Sequence, residues 1–163
     1  MFSAAVALLA TTMSLGVHGY AYADYESGLR AYVEKDYSTA LEEWSAPELE
    51  QHPEAMFALG VLYMRGQGVT QDLNQGAEYY LKSASMGFVS AQYNLGLAFY
   101  SGRGVAKDLA KSEYWWLQAA RQNHAVAQYN LAAILWSGQG VQQDQARAMH
   151  WFRKAKANGS RDA

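Results

Sequence analysis

The side chains in this chain whose types could support catalysis or metal binding are few and do not form recognised patterns. The four histidines are His18, His52, His124 and His150. None belongs to a histidine pair four residues apart with a glutamate between, the spacing that holds zinc on a protease helix. Because a histidine outside any ligand spacing usually lies on the surface or in the core, we expect no metal site and no catalytic histidine.

Three other features resemble reactive motifs only superficially. The glycine pair Gly66-x-Gly68 lacks the third glycine and the lysine of phosphate-binding loops. Ser101-Gly102 and Ser137-Gly138 lack the strand–turn–helix context of a serine nucleophile. Glu42-Glu43 is expected to be a solvated face, since an acid/base pair needs a cleft that shifts a pKa. The sequence therefore predicts a protein without catalytic residues and without a cofactor.

Composition limits the class of protein further. The chain has 163 residues, of which 50% are hydrophobic and 17% charged, so it is long and apolar enough for one folded domain. A formal net charge of −2 argues against a general nucleic-acid binder. The absence of cysteine excludes disulfides, thiolate metal sites, cysteine nucleophiles and lipoprotein anchors.

The N-terminus has the features of a secretory signal peptide. Residues 1–23 contain no Lys, Arg, Asp or Glu, and the apolar run from Phe2 to Val17 is shorter than the ~20 residues needed to cross a bilayer. Ala21-Tyr22-Ala23 is a small-x-small cleavage signature. We expect cleavage after Ala23 and a periplasmic or secreted chain with no membrane span. An uncleaved N-terminal anchor is the alternative, because no basic residue precedes the run.

An internal repeat organises the rest of the chain. Residues 55–90, 91–126 and 127–162 align without gaps at a period of 36 residues. Six positions are identical in all three copies, beginning with Ala55, Ala91 and Ala127 and continuing with Leu59, Leu95 and Leu131. The other four include the structural motif positions Gly66, Gly68, Asp72, Gly102, Gly104, Asp108, Gly138, Gly140 and Asp144.

Each copy is predicted to form a helix, a loop and a second helix. Ala91, Leu95, Ala98 and Phe99 fall on one helical face. The Gly-x-Gly that follows is expected to end the first helix, since glycine adopts the left-handed conformation at little steric cost. The aspartate before the next apolar stripe is expected to cap the second helix. Residues 24–54 are predicted to form a diverged, shorter helix pair that caps the array.

The three copies resemble Sel1-like repeats, which are relatives of the tetratricopeptide repeat. The family pattern, with its leucine–glycine pair, Gly-x-Gly-Val loop, aspartate and Lys-Ala helix start, is matched best by Leu95-Gly96, Gly102-x-Gly104-Val105 and Asp108. The resemblance covers residues 55–162. It implies an all-α fold, an α/α superhelical solenoid of helix pairs, that acts as a non-catalytic protein-interaction scaffold.

The resemblance also implies where a protein or peptide partner binds, because the first helix of each repeat lines the concave surface of such solenoids. Carried over from the leucine–glycine pair, the partner-binding positions are Phe57, Met64, Arg65, Tyr93, Tyr100, Tyr129 and Trp136. This groove is expected to be aromatic rather than a basic carboxylate clamp. The alternative is that the rings pack between repeats and contact no partner.

Charge is distributed unevenly along the sequence. Residues 24–54 carry nine acidic and two basic residues, whereas residues 55–163 carry six acidic and eleven basic residues. Such a dipole could steer a charged partner or pair copies of the chain end to end. A self-assembling structural module, or a regulator or inhibitor of an envelope enzyme, is therefore the alternative to a partner-binding scaffold.

Overall fold

The computed structural model of the protein describes residues 24–160, and within this range it contains eight α-helices, one short 3-10 helix and no strand. The prediction of an all-α helical solenoid is confirmed. The expected signal peptide, residues 1–23, lies outside the described residues. The helices are α1 (Tyr25–Val33), α2 (Tyr37–Trp44), α3 (Pro53–Arg65), α4 (Leu73–Ser85), α5 (Val89–Ser101), α6 (Leu109–Arg121), α7 (Ala125–Ser137) and α8 (Gln145–Ala157), with the 3-10 helix at Pro47–Leu49.

The helices pack as four successive pairs. Each odd-numbered helix, here called an A helix, packs most closely on the helix that follows it, here called a B helix. Each B helix in turn packs on the A helix of the next pair, so the pairs form a linear array. Small side chains allow this close approach: Gly60 packs against Tyr80, and Gly96 packs against Trp116.

The loop between helices A and B is set by its first glycine and its last aspartate. Gly66, Gly102 and Gly138 follow the A helices and adopt left-handed φ values of 66°, 74° and 67°. Asp108 begins the next helix by accepting a hydrogen bond at 2.9 Å from the backbone N–H of Lys111. Asp72 and Asp144 cap α4 and α8 in the same way. These residues satisfy backbone groups that a helix end leaves without partners.

The second glycine of the loop connects one pair to the pair before it. Gly104 has a φ of +77°, and a Cβ added there would collide with the carbonyl of Leu73, the first residue of α4. A Cβ on Gly68 would collide with the backbone of Tyr37, and one on Gly140 with the side chain of Leu109. Each loop therefore rests on the start of the preceding B helix, at a distance that only glycine allows.

A ladder of buried amides crosses the junctions between pairs. Gln128 is fully buried, and its Nε2 donates to the carbonyl of Ala120 at 2.9 Å while its Oε1 accepts from Asn158 at 3.0 Å. One repeat earlier, Gln92 makes the equivalent contacts with Ala84 and Gln122. These hydrogen bonds satisfy carbonyl groups at the ends of α4 and α6.

The first pair follows the same plan with a shorter loop. Asp36 caps α2 through Thr39, at 3.1 Å, and lies 36 residues before Asp72. Trp44 donates from Nε1 to the carbonyl of Tyr25 at 3.1 Å. Trp116 makes the equivalent hydrogen bond in the third pair. The B helices therefore keep a constant register through the described part of the chain.

Candidate binding surface

Two pockets lie side by side between successive A helices and together form what we call the A-helix groove. The first, of about 380 Å³, separates α3 from α5 and is lined by Met64, Arg65, Tyr80, Asn94, Leu97, Ala98, Ser101 and Arg103. The second, of about 390 Å³, separates α5 from α7 and is lined by Leu97, Tyr100, Trp116, Asn130, Ala133, Ile134, Ser137 and Gln139. Leu97 lines both pockets, so the groove is continuous across α5.

The two pockets are copies of one another displaced by one repeat. Asn94 corresponds to Asn130 at the period of 36 residues, and Tyr80 corresponds to Trp116. Each pocket thus combines an aromatic ring from a B helix with an asparagine and small or apolar side chains from an A helix. A groove with equivalent sites at regular intervals is suited to an extended chain, whose side chains also recur at regular intervals.

Large apolar side chains are exposed along this groove. Leu97 is 41% exposed and Tyr100 is 42% exposed, although both belong to an apolar helix. The ring of Tyr100 packs on that of Trp116, with centroids 5.4 Å apart. Trp136 is 45% exposed and occupies the position one repeat after Tyr100, but it does not line the second pocket. Exposed aromatic rings on a rigid support are typical of protein-binding surfaces.

Two arginines line the first pocket, and the sequence analysis expected only Arg65 in the groove and not Arg103. Arg65 ends α3 and Arg103 lies in the loop of the next pair, yet both line this pocket. Burial raises the pKa of Tyr80 at the pocket wall, and the nearby positive charges of Arg65 and Arg103 act in the opposite direction. The groove that the sequence predicts to be aromatic thus carries two positive charges at this end.

Three of the aromatic residues expected in the groove pack between helices instead. Phe57 stacks on Tyr80 and contacts Phe88, with ring centroids 5.4 Å and 5.3 Å away. Tyr93 stacks on His124, at the start of the next A helix, with centroids 4.7 Å apart. Tyr129 packs edge-on against Phe152 of its own pair. None of the three lines either pocket, and the contacts of Phe57 with Phe88 and of Tyr93 with His124 favour the alternative that these two rings pack between repeats.

Met64 also differs from the expectation. Only 6% of its surface is exposed, and it belongs to the core cluster that contains Ala77 and Tyr80. The reason is the glycine opposite: Gly76 of α4 has no side chain, so Met64 packs directly over it. Met64 reaches the wall of the first pocket but offers a partner little surface. Of the seven expected partner-binding residues, the structure brings Arg65 and Tyr100 together along the groove, with Trp136 beyond it.

Sequence reasoning missed the polar members of the groove. Asn94 and Asn130 follow the recognised aromatic position by one residue, so their recurrence at 36 residues was a visible signal. Arg103 and Gln139 each occupy the middle of a Gly-x-Gly loop. Their side chains point back over the preceding A helix, and no periodicity of a single helix indicates that direction.

Two of the described histidines and both serines that precede a loop glycine make structural hydrogen bonds. His124 accepts at Nδ1 from the backbone N–H of Ala127 at 3.1 Å, and burial lowers its pKa below the ordinary value of 6.5. His52 accepts in the same way from Ala55. The hydroxyl of Ser101 donates to the carbonyl of Leu97, and that of Ser137 to the carbonyl of Ile134.

No group of three His, Asp or Glu side chains within residues 24–160 is arranged to hold a metal ion. No helix in the same range is long and apolar enough to cross a membrane.

The repeat pattern and helix pairs agree with one protein family. The Sel1 repeat model matches residues 19–42, 53–88, 89–124 and 125–160, each of the last three spanning one A helix, its loop and one B helix. The chain therefore belongs to the Sel1 repeat family, and the resemblance found in the sequence is confirmed. Sel1 repeat proteins generally mediate protein–protein interactions and are typically non-catalytic scaffolds.

Solved structures of bacterial proteins share this fold. The crystal structure of a Sel1 repeat protein from Oxalobacter formigenes is 33% identical, with a TM-score of 0.80 over 83% of this chain and 56% of that one. A protective antigen present in uropathogenic Escherichia coli strains, which displays an SLR fold, is 31% identical, with a TM-score of 0.79 over 85% of this chain and 30% of that one. Helicobacter pylori cysteine rich protein B is 26% identical, with a TM-score of 0.50 over 58% of this chain and 68% of that one.

The chain thus spans about half the length of the first of these proteins and less than a third of the second. Among curated protein sequences, none matches the chain.

Proposed function

We propose that this protein is a non-catalytic scaffold of the bacterial cell envelope or the extracellular space, which binds an extended segment of a partner protein in its A-helix groove. The observation that carries the proposal is the pair of equivalent pockets one repeat apart, joined by the exposed side chains of Leu97 and Tyr100. The predicted signal peptide supports the location.

The rigidity of the groove also supports binding. Its walls are helices held by glycine contacts, capping aspartates and the buried amide ladder, so little ordering is needed when a segment binds. A preformed surface loses less conformational entropy on association than a flexible one. Tyrosine, the type of the exposed Tyr100, is among the residues that most often dominate the binding energy of protein interfaces.

The proposal is tested by crosslinking capture from an envelope extract with a groove variant and a matched control. Leu97→Ala/Tyr100→Ala removes the shared apolar surface of the groove. Leu81→Ala/Tyr114→Ala removes the same residue types from the B helices, where Leu81 is 45% and Tyr114 is 54% exposed. All four side chains are well exposed, so both variants should keep the helical spectrum of the parent.

We expect the parent and the control to enrich the same protein and the groove variant to lose it. Equal enrichment by all three would place the binding site elsewhere and refute the proposal. If the bait enriches only further copies of this protein, the result would favour the self-assembling module.

A further inference from the structure

The first pocket of the groove contains two arginines that have no acidic partner in the described part of the chain. The ion pairs between residues 24 and 160 involve His52, Lys111 and Arg147, and none involves Arg65 or Arg103. Both guanidinium groups are exposed at the pocket mouth and act on the hydroxyl of Tyr80. Two positive charges at one pocket without a counter-charge constitute a site with a preference for anions.

Hydrogen bonds to uncharged acceptors hold the two arginines at the pocket. Arg65 donates from Nη1 to the hydroxyl of Tyr32 at 3.4 Å. Arg103 donates from Nη2 to the carbonyl of Met64 at 3.2 Å. A guanidinium group has five N–H donors, so each arginine retains most of them for a ligand. Planar guanidinium groups bind carboxylates through paired hydrogen bonds, which gives direction as well as attraction.

The second pocket differs from the first in charge while keeping its shape. Ser101 and Ser137 occupy the positions one and two repeats after Arg65, and Gln139 replaces Arg103. The rings of Tyr100 and Trp116, together with Leu97, make this pocket aromatic, and no charged side chain lines it, although Nζ of Lys107 lies 5.8 Å from the centroid of the Tyr100 ring. The groove therefore has a cationic end between α3 and α5 and an aromatic end between α5 and α7.

We propose that the A-helix groove selects an extended peptide segment in which an aspartate or glutamate side chain binds Arg65 and Arg103 and a large apolar or aromatic side chain fills the pocket of Tyr100 and Trp116. This inference rests on the proposed function and specifies the chemistry of the partner. An extended chain rises about 3.3 Å per residue and presents every second side chain to the same face, so the acidic and apolar residues are separated by two or four positions.

The inference is tested by selecting short random peptides from a displayed library on the purified protein and measuring the affinity of those enriched by fluorescence anisotropy. We expect an acidic residue two or four positions from an aromatic or large aliphatic residue. Arg65→Gln/Arg103→Gln should weaken binding by about five- to tenfold, since charge-assisted hydrogen bonds to a carboxylate are lost. Lys82→Gln/Arg121→Gln removes the same charge from exposed positions on α4 and α6 and should change affinity less than about twofold.

A substitution in the peptide tests the same contact without altering the folded protein. Glu→Gln or Asp→Asn in a selected peptide should cause the same loss against the parent protein and little further loss against Arg65→Gln/Arg103→Gln. Such non-additivity indicates that the carboxylate and the arginines interact directly.

The possible failures are distinguishable. Peptides that lose binding to Leu97→Ala/Tyr100→Ala but bind Arg65→Gln/Arg103→Gln as well as the parent would overturn this inference and leave the proposed function intact. Peptides indifferent to both variants, or no enrichment at all, would contradict both.

Discussion

Arg103 reaches back across one repeat and donates a hydrogen bond from Nη2 to the carbonyl oxygen of Met64, 3.2 Å away. This contact ties the loop of the third helix pair to the last turn of α3, whose carbonyl groups have no partner within the helix. The same carbonyl accepts a second hydrogen bond, from Nε2 of Gln71. One loop thus closes the end of a neighbouring repeat and places a positive charge at the mouth of the groove.

The close contact between Gly104 and Leu73 of the preceding pair predicts that two glycine substitutions lower the free energy of unfolding by different amounts. Gly87 and Gly104 both have positive φ, but a Cβ on Gly87 would meet nothing within 4 Å, whereas a Cβ on Gly104 would collide with the carbonyl of Leu73. Gly87→Ala should lower the free energy of unfolding by about 1–2 kcal/mol through backbone strain alone. Gly104→Ala should cost about 1–3 kcal/mol more through overpacking. Urea unfolding of the two variants measures the difference, and equal losses would show that the loop does not rest on α4.

Met64 and Trp136 occupy equivalent positions two repeats apart, each two residues before the first glycine of its loop, yet the structure assigns them different roles. Met64→Ala should lower the free energy of unfolding by about 2–5 kcal/mol, because a buried side chain is removed from the core. Trp136→Ala should cost about 1 kcal/mol or less, because nearly half of the ring is exposed. Thermal and urea unfolding distinguish them. The reverse ranking would mean that Met64 faces solvent.

The buried amide ladder should be a source of stability. Gln128→Leu keeps a similar volume but leaves the carbonyl of Ala120 and the amide of Asn158 without their partner. We expect a loss of about 1–3 kcal/mol in the free energy of unfolding. A double-mutant cycle with Asn158→Ala should show coupling, since the two side chains contact one another. Additive effects would indicate that the hydrogen bond contributes nothing.

His124 should make stability depend on pH. Its pKa in the folded protein is lowered by burial, so the unfolded chain takes up a proton at a higher pH than the folded chain does. The stabilisation is complete above the unfolded pKa of about 6.5 and is lost as the pH falls through the folded pKa. His124→Asn retains a capping side chain without titrating. Comparing urea unfolding of the two proteins between neutral and acidic pH isolates this effect, and parallel profiles would contradict it.

The sequence was sufficient to predict features that recur within one repeat. The period of 36 residues located the loops, and the structure has Asp108 at the start of α6 and Gly102 in the left-handed conformation at the end of α5. These features depend on local backbone chemistry. The helical spacing of apolar residues likewise indicated which face of each helix is buried.

The sequence was insufficient where two repeats meet. Whether Tyr93 is covered depends on His124 of the next pair. Arg65 and Arg103 share a pocket only because the array brings α3 beside the following loop. Such contacts depend on the rotation between successive pairs, which a helical period does not specify.

The most direct test of the account is photocrosslinking from single positions in cells that produce the protein. A photoreactive residue in place of Leu97 lies between the two pockets, whereas one in place of Tyr114 lies on the opposite helix layer, outside both. We predict a crosslinked partner protein from position 97 and none from position 114. Crosslinking of the same partner from position 114 but not from position 97 would contradict the assignment of the A-helix groove as the binding surface.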